Sequence, residues 1–200
     1  MKYTGSIFKR SRRYGLSLLG DNREFLKGKK RTTAPGQHGA DKIKLTGYGE
    51  QLREKQRLQY MYGITDRQFR RLFEVAEKMP GNLSMNLLIV LESRLDNLVY
   101  RMGFAPTRRG ARQLVNHGHI KLNGKKCTIP SLIVPLKATI SVKEKSKEMP
   151  LVKANQEKPL AFVSVNAKDK SGMYLRYPER NELTPDINET YVVEWYTRLI

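Results

Sequence analysis

The chain is short of cysteine, of long apolar runs and of acid, and each shortage excludes something. Cys127 is the only cysteine, so no internal disulfide can form and no multi-cysteine zinc site is possible. Cys127 itself reads as a small, half-buried strand residue. The longest apolar run, Leu87–Leu91, is five residues, against the roughly 20 needed to span a bilayer. The basic start, Met1–Gly15, is followed only by Leu16, Leu18 and Leu19, too little for the apolar stretch of a secretory signal. A cytosolic protein is the expectation. Acid is scarce as well: 19 Asp plus Glu face 38 Lys plus Arg over 200 residues, a formal charge of +19. A polyanionic partner follows from that imbalance.

The charge is segregated along the chain. Residues 1–50 hold 12 basic and 4 acidic side chains and 101–150 hold 11 and 2, whereas 51–100 hold 8 and 6 and 151–200 hold 7 and 7. Two basic blocks around a nearly neutral stretch suit two surfaces gripping one nucleic acid, or one surface built from both. For the first thirty residues a solvated or disordered arm is the alternative. Residues 28–49, rich in Gly, Lys and Arg without an apolar period, predict a loop.

Glu50–Tyr62 is helical in composition, but its apolar positions 52, 58, 60, 61 and 62 scatter around the wheel, so this helix should meet partners on several sides. Thr65 with Gln68 forms a capping box for a helix carrying Phe69, Leu72, Phe73 and Ala76 at i, i+3, i+4 and i+7. A third helix is predicted over Leu83–Met102, stopped by Gly103. Thr107 then suits the N-cap of a helix over Arg108–Asn116 closed by Gly118. That helix places Ala111, Leu114 and Val115 on one face and Arg108, Arg109, Arg112, Gln113 and Asn116 on the other. Early arginines beside unpaired N–H groups suit phosphate.

The period then changes to two. Ile120 and Leu122 alternate with His119 and Lys121, and Asn123-Gly124 is a strong hairpin signal followed by Lys125 and Lys126. Strand-like runs continue through Cys127–Ile129, Leu132–Val134 and Thr139–Val142, then Leu160–Val165 and Met173–Tyr177 around the turn at Lys170–Gly172. Residues 190–199 fit either a strand or a helical face. The fold class expected is α+β: a helical domain after a basic irregular arm, then two short helices packed on a twisted antiparallel sheet. The expected divisions are 1–49 for the arm, 50–91 for the helical domain joined by 186–200, 92–155 for the mixed, basic domain and 156–185 for its strand-containing extension.

Ser93-Arg94-Leu95-Asp96-Asn97, then Thr107–Ile120 with Asn123-Gly124-Lys125, resembles the RNA-binding domain of the small-subunit ribosomal protein four family. The likeness extends through Pro35–Gly39, Tyr48–Phe69, Pro178–Arg180 and Ile187–Glu189, most of the chain. It implies a structural constituent of the small (30S) subunit that binds 16S ribosomal RNA at a helical junction of the 5′ domain and nucleates assembly. It also implies ribosomal proteins three and five as neighbours, messenger RNA where it enters, a part in translational accuracy, and repression of its own operon. Many bacterial relatives hold zinc with four cysteines in the arm; none stands here, so the resemblance is to a zinc-free form.

The RNA contacts expected from the arm are Lys9, Arg10, Arg12, Arg13, Lys29, Lys30, Arg31, Lys42 and Lys44, with Gln37, His38 and Tyr48 beside them. Arg53, Lys55 and Arg57 follow from the first helix, then Arg94. The second block adds Thr107, Arg108, Arg109, Arg112, Gln113, Asn116, His117, His119, Lys121, Asn123, Lys125 and Lys126. His117 and His119 lack a nearby carboxylate or cysteine, so no metal is expected. Gly36 and Gly39 have no Gly-Lys-Ser/Thr after them, so no nucleotide loop is expected either. No cofactor, small-molecule substrate, membrane partner or catalytic residue is expected. The alternatives are an RNA-modifying enzyme and a free RNA chaperone using the same domain, and the flanking pieces carry no recognisable catalytic setting.

Overall fold

The computed structural model describes residues 5–20, 25–26, 32–41, 44–153, 160–184 and 187–198. Helices α1 (Ile7–Tyr14), α2 (Gly47–Met61), α3 (Asp66–Glu77) and α4 (Leu83–Glu92) precede α5 (Leu95–Arg101) and α6 (Arg108–Asn116). Strands β1 (Ile120–Leu122), β2 (Lys125–Cys127) and β3 (Thr139–Val142) follow, then α7 (Pro150–Lys153), β4 (Val163–Asn166), β5 (Ser171–Tyr174) and α8 (Glu189–Thr197). The strands form one antiparallel sheet in the order β2-β1-β3-β5-β4. This is the mixed α+β architecture the pattern predicts.

Two apolar clusters sit side by side. The first gathers Phe69, Phe73, Leu87 and Leu91 of α3 and α4 with Leu58 of α2 and Val192, Trp195 and Tyr196 of α8. The second places Leu98, Ala111, Leu114 and Val115 of α5 and α6 against the inward residues of the sheet, Ile120, Ile140, Val142, Val163 and Tyr174. The local signals behave as their chemistry dictates. Thr65 and Gln68 make the reciprocal capping box, and Thr107 accepts the Gly110 amide at the start of α6. Asn123 and Gly124 take φ of 48° and 80°, the left-handed pair that a two-residue hairpin demands.

Helix α2 is enclosed on several sides, as its scattered apolar positions require. Gln51 donates to Glu194 of α8 at 2.8 Å, Tyr14 of α1 donates to Gln56 at 2.9 Å, and Glu54 accepts the Asn188 amide at 3.3 Å.

Several elements differ from expectation. The predicted helix over 83–102 is two helices, because Ser93 and Arg94 leave the helix and Arg94, in extended geometry, bridges Ile133. The run Leu132–Val134 contributes only that bridge, and Thr128 and Ile129 lie beyond the end of β2. The two later strands are shifted to Val163–Asn166 and Ser171–Tyr174. Part of the arm taken as irregular is α1, whose Ser11 is fully buried and accepts the Leu18 amide. Residues 189–197 are helix, with Val192, Trp195 and Tyr196 inward and Asn188 capping Thr190; a strand would not bring those three side chains to one core.

Gly172 is where β5 passes closest to its surroundings: a Cβ there would sit 2.7 Å from the Ser164 carbonyl of β4 and 2.9 Å from Met102 Sδ. Gly172→Ala is expected to lower stability by about 1–3 kcal/mol, read as a lower urea midpoint with an unchanged denaturant slope.

Candidate nucleic-acid interface

Glu92, the last residue of α4, is fully buried between the two clusters and its carboxylate collects donors from both sides. The Tyr62 hydroxyl donates at 2.6 Å, Asn97 Nδ2 at 2.6 Å, and Arg101 at 2.9 Å from Nε and 2.6 Å from its second terminal nitrogen. Asn97 in turn accepts Arg108 Nε at 2.8 Å. The Arg108 guanidinium lies 4.9 Å from the Tyr62 ring centre and 4.7 Å from that of Tyr100. A charge in such a place persists only if paired and hydrogen-bonded. Burial pushes the Glu92 carboxyl up, but the adjoining Arg101 guanidinium, the charge on Arg108 and the Tyr62 hydroxyl outweigh it and hold the group at about 2. Burial and the Glu92 charge push the Tyr62 hydroxyl above its ordinary range.

A second carboxylate orders the face beyond this seam. Asp96 accepts Arg94 Nε at 3.1 Å and its terminal nitrogen at 2.8 Å, and Arg112 reaches the same carboxylate at 3.4 Å. Arg94 is 1% exposed. Its guanidinium is occupied inside the protein. Lys55 is likewise buried on Asp66, and Arg57 is paired with Glu54 and largely buried. Arg108 is partly withdrawn, since its Nε and its aromatic contacts tie it to the seam.

Part of what remains lines a groove of about 900 Å³ between the helical layer and α6. Arg10 of α1 and Tyr60 of α2 form one wall, the Arg10 guanidinium lying 3.9 Å from the Tyr60 ring centre. The other wall is the polar face of α6: Thr107, Arg109, Arg112, Gln113, Asn116 and, at its end, His117. Arg10 of the first basic block thus faces the arginines of the second across one cleft. Beyond α6 the hairpin carries exposed Asn123, Lys125 and Lys126 with half-buried Lys121. Gly118, at φ 72°, passes directly beneath the Lys126 side chain, where a Cβ would collide with it. His119 is held by Ser146 Oγ at 2.9 Å.

The other expected contacts are spread more widely. Lys9 and Arg13 are exposed on α1, Arg12 is half-buried with Nε on the Phe8 carbonyl at 3.4 Å, and Arg53 is half-buried on α2. Gln37 and His38 are exposed, with His38 on Asp41 at 2.9 Å, and Lys44 is exposed. Tyr48 packs against Trp195 in a tilted pair, ring centres 4.7 Å apart. Lys29, Lys30, Arg31 and Lys42 lie outside the described residues. Among the described residues no group of three or more His, Cys, Asp and Glu is placed to hold a metal ion.

Sequence reasoning missed the carboxylates that position the cations. A signal was present: Glu92 and Asp96 are the only acidic residues between Glu77 and Glu144. Isolated acids at i and i+4 in an otherwise apolar and basic stretch have only arginines to answer to.

Comparison with known families matches the ribosomal protein S4/S9 N-terminal domain over residues 2–92 and the S4 domain over residues 93–140. The boundary between the two falls at the break between α4 and α5. Along its whole length the chain is 63% identical to the small ribosomal subunit protein uS4 of Malacoplasma penetrans, covering 99% of that protein. It is 60% identical to the protein of the same name from Mycoplasma pneumoniae, covering all of it, and 52% identical to that of Mycoplasma capricolum, covering 98%.

Glu92→Ala leaves Arg101 buried without its counter-charge and is expected to cost about 3–5 kcal/mol in urea unfolding. Because the folded carboxyl is held near 2 against an ordinary 4.5, its stabilisation is complete above pH about 4.5 and is lost as pH falls toward 2. Glu92→Gln should remove that part of the acid dependence of stability, measured by unfolding between pH 2 and 5.

Proposed function

Because this chain belongs to the ribosomal protein S4 family, a structural component of the small ribosomal subunit whose S4 domain binds ribosomal RNA, we propose that the cleft between α1 and α6 is where it grips that RNA. The family is structural and not enzymatic, and its place is the cytoplasmic small subunit. The observation that carries the reading is the meeting of Arg10 with Arg109 and Arg112 across a single groove.

The chemistry of that groove is suited to a folded backbone. Guanidinium groups offer paired N–H donors matched to phosphate oxygens, and Arg109 projects from the first turn of α6, at the positive end of its dipole. Side chains cannot read bases in the deep major groove of A-form RNA, so selectivity falls to backbone shape. A junction of helices supplies such a shape, which supports a 5′-domain junction of 16S ribosomal RNA as the target and early binding during assembly as the role. In this reading the arm 1–49 and the helical domain, 50–91 with 186–200, supply one wall through α1 and α2, and the domain 92–155, extended by 156–185, supplies the other through α6. Ribosomal proteins three and five, messenger RNA where it enters, a contribution to accuracy and repression of the protein's own operon complete the reading. The exposed Tyr48 ring, packed on buried Trp195 beside the charge-balanced last quarter of the chain, suits a protein neighbour better than phosphate.

Binding of deproteinised small-subunit RNA should be dominated by phosphate contacts, with affinity falling about 10³–10⁵-fold between 50 and 200 mM salt for six to ten contacts. Arg109→Ala should lower the salt slope by about 1 and leave circular dichroism unchanged. An unchanged affinity in an Arg109→Ala/Arg112→Ala variant would move the interface elsewhere.

A further inference from the structure

The outward face of the five-stranded sheet has a composition that packing does not account for. Cross-strand pairing aligns Lys126, Lys121, Ser141, Ser171 and Asn166 in one row that crosses all five strands. Two residues along, Thr139, Met173 and Ser164 form a parallel row. Residues paired at the same register stand on the same face, and their strand neighbours Ile120, Ile140, Gly172 and Val163 are buried on the opposite one. Every member of the two rows is exposed or half-buried.

An exposed sheet face is ordinarily filled with Thr, β-branched or aromatic residues that favour strands. Here the two central positions, Ser141 opposite Ser171, carry short hydroxyls instead. Neither row contains an acid or an aromatic ring, so the rows themselves offer phosphate no repulsion away from the far edge and no ring to stack on an unpaired base. The face is polarised. Lys121 and Lys126 stand at the hairpin edge, while at the far edge Asn166 is engaged in the β4–β5 turn, donating to Asp169 at 2.6 Å. The cations are of one kind too: residues 113–175 contain eleven lysines and no arginine, flexible point charges rather than planar forks.

We infer that this face is a second RNA-binding surface that lies against the shallow minor groove of an A-form duplex, with Lys121 and Lys126 on phosphates and Ser141, Ser171 and Thr139 on ribose 2′-hydroxyls. Five strands spaced about 4.8 Å apart span about 19 Å, and the minor groove of A-form RNA is the wide, accessible one in which 2′-hydroxyls are displayed. Short hydroxyls let the strand backbones come close enough to bond to them. The inference rests on the assignment of ribosomal RNA as the partner. It adds a duplex that the α1–α6 cleft does not hold.

Two measurements on the full-length protein test it. In a Cys127→Ser background, an iron chelate tethered at Ser164→Cys or, separately, at Gln113→Cys on α6 generates hydroxyl radicals in complexes with deproteinised small-subunit RNA. Cleavage of a duplex from position 164, at nucleotides distinct from those cut from position 113, is the expected result. Cleavage from 113 alone overturns the sheet-face inference and leaves the cleft assignment standing, whereas cleavage from neither overturns both. Photo-crosslinking from position 164 to a ribosomal protein in place of RNA, in assembled subunits, would also overturn it. Ser141→Val with Ser171→Val removes the hydroxyls but favours the strand, so the melting temperature should hold or rise while RNA affinity falls about 10-fold. Unchanged affinity in that variant contradicts the inference.

Discussion

A single buried carboxylate governs how the two halves of this molecule meet. Glu92 ends the helical layer, and its partners come from the end of α2 and from α5, with Arg108 at the start of α6 joined through Asn97. Apolar packing is non-directional, so two greasy cores in contact could settle at a range of angles. A charge that must keep its donors within hydrogen-bonding distance permits far fewer. The seam converts contact into orientation, and the orientation sets the distance between Arg10 and the α6 arginines across the cleft.

Arginine is divided between two tasks in consequence. Arg94 and Arg101 are spent on Asp96 and Glu92, and Arg108 is shared between Asn97 and two tyrosine rings. These hold the scaffold from within. Arg10, Arg109 and Arg112 line the cleft, though Arg112 also leans on Asp96. The same residue type therefore serves both as internal brace and as external contact. Buried partners separate the two: Glu92, Asp96, Asn97 and the tyrosine rings draw the bracing arginines inward.

The parts of the fold set by local chemistry were legible from the residues: the capping box at Thr65, the N-cap at Thr107, the amphipathic α6 and the Asn123-Gly124 turn. What resisted reading was set by partners distant in sequence. Arg94 breaks a continuous apolar period because its backbone pairs with Ile133, 39 positions later, and no helical wheel records that. Trp195 and Tyr196 choose helix over strand because α2, α3 and α4 offer a core to receive them. Most of the candidate interface was likewise visible as a basic, polar helix face. Its internal braces were not, because a buried and an exposed arginine look alike until the acid beside one of them is located.

The last helix gives this chain an unusual order of completion. The core begun by α2, α3 and α4 is finished by Val192, Trp195 and Tyr196, whereas the sheet and its two helices are complete by Tyr174. During synthesis, which runs from the amino end, the half made first must wait with an open side while the half made second closes. A nascent chain of this kind leaves the core of α2, α3 and α4 open until α8 emerges, and so matures from the middle outward.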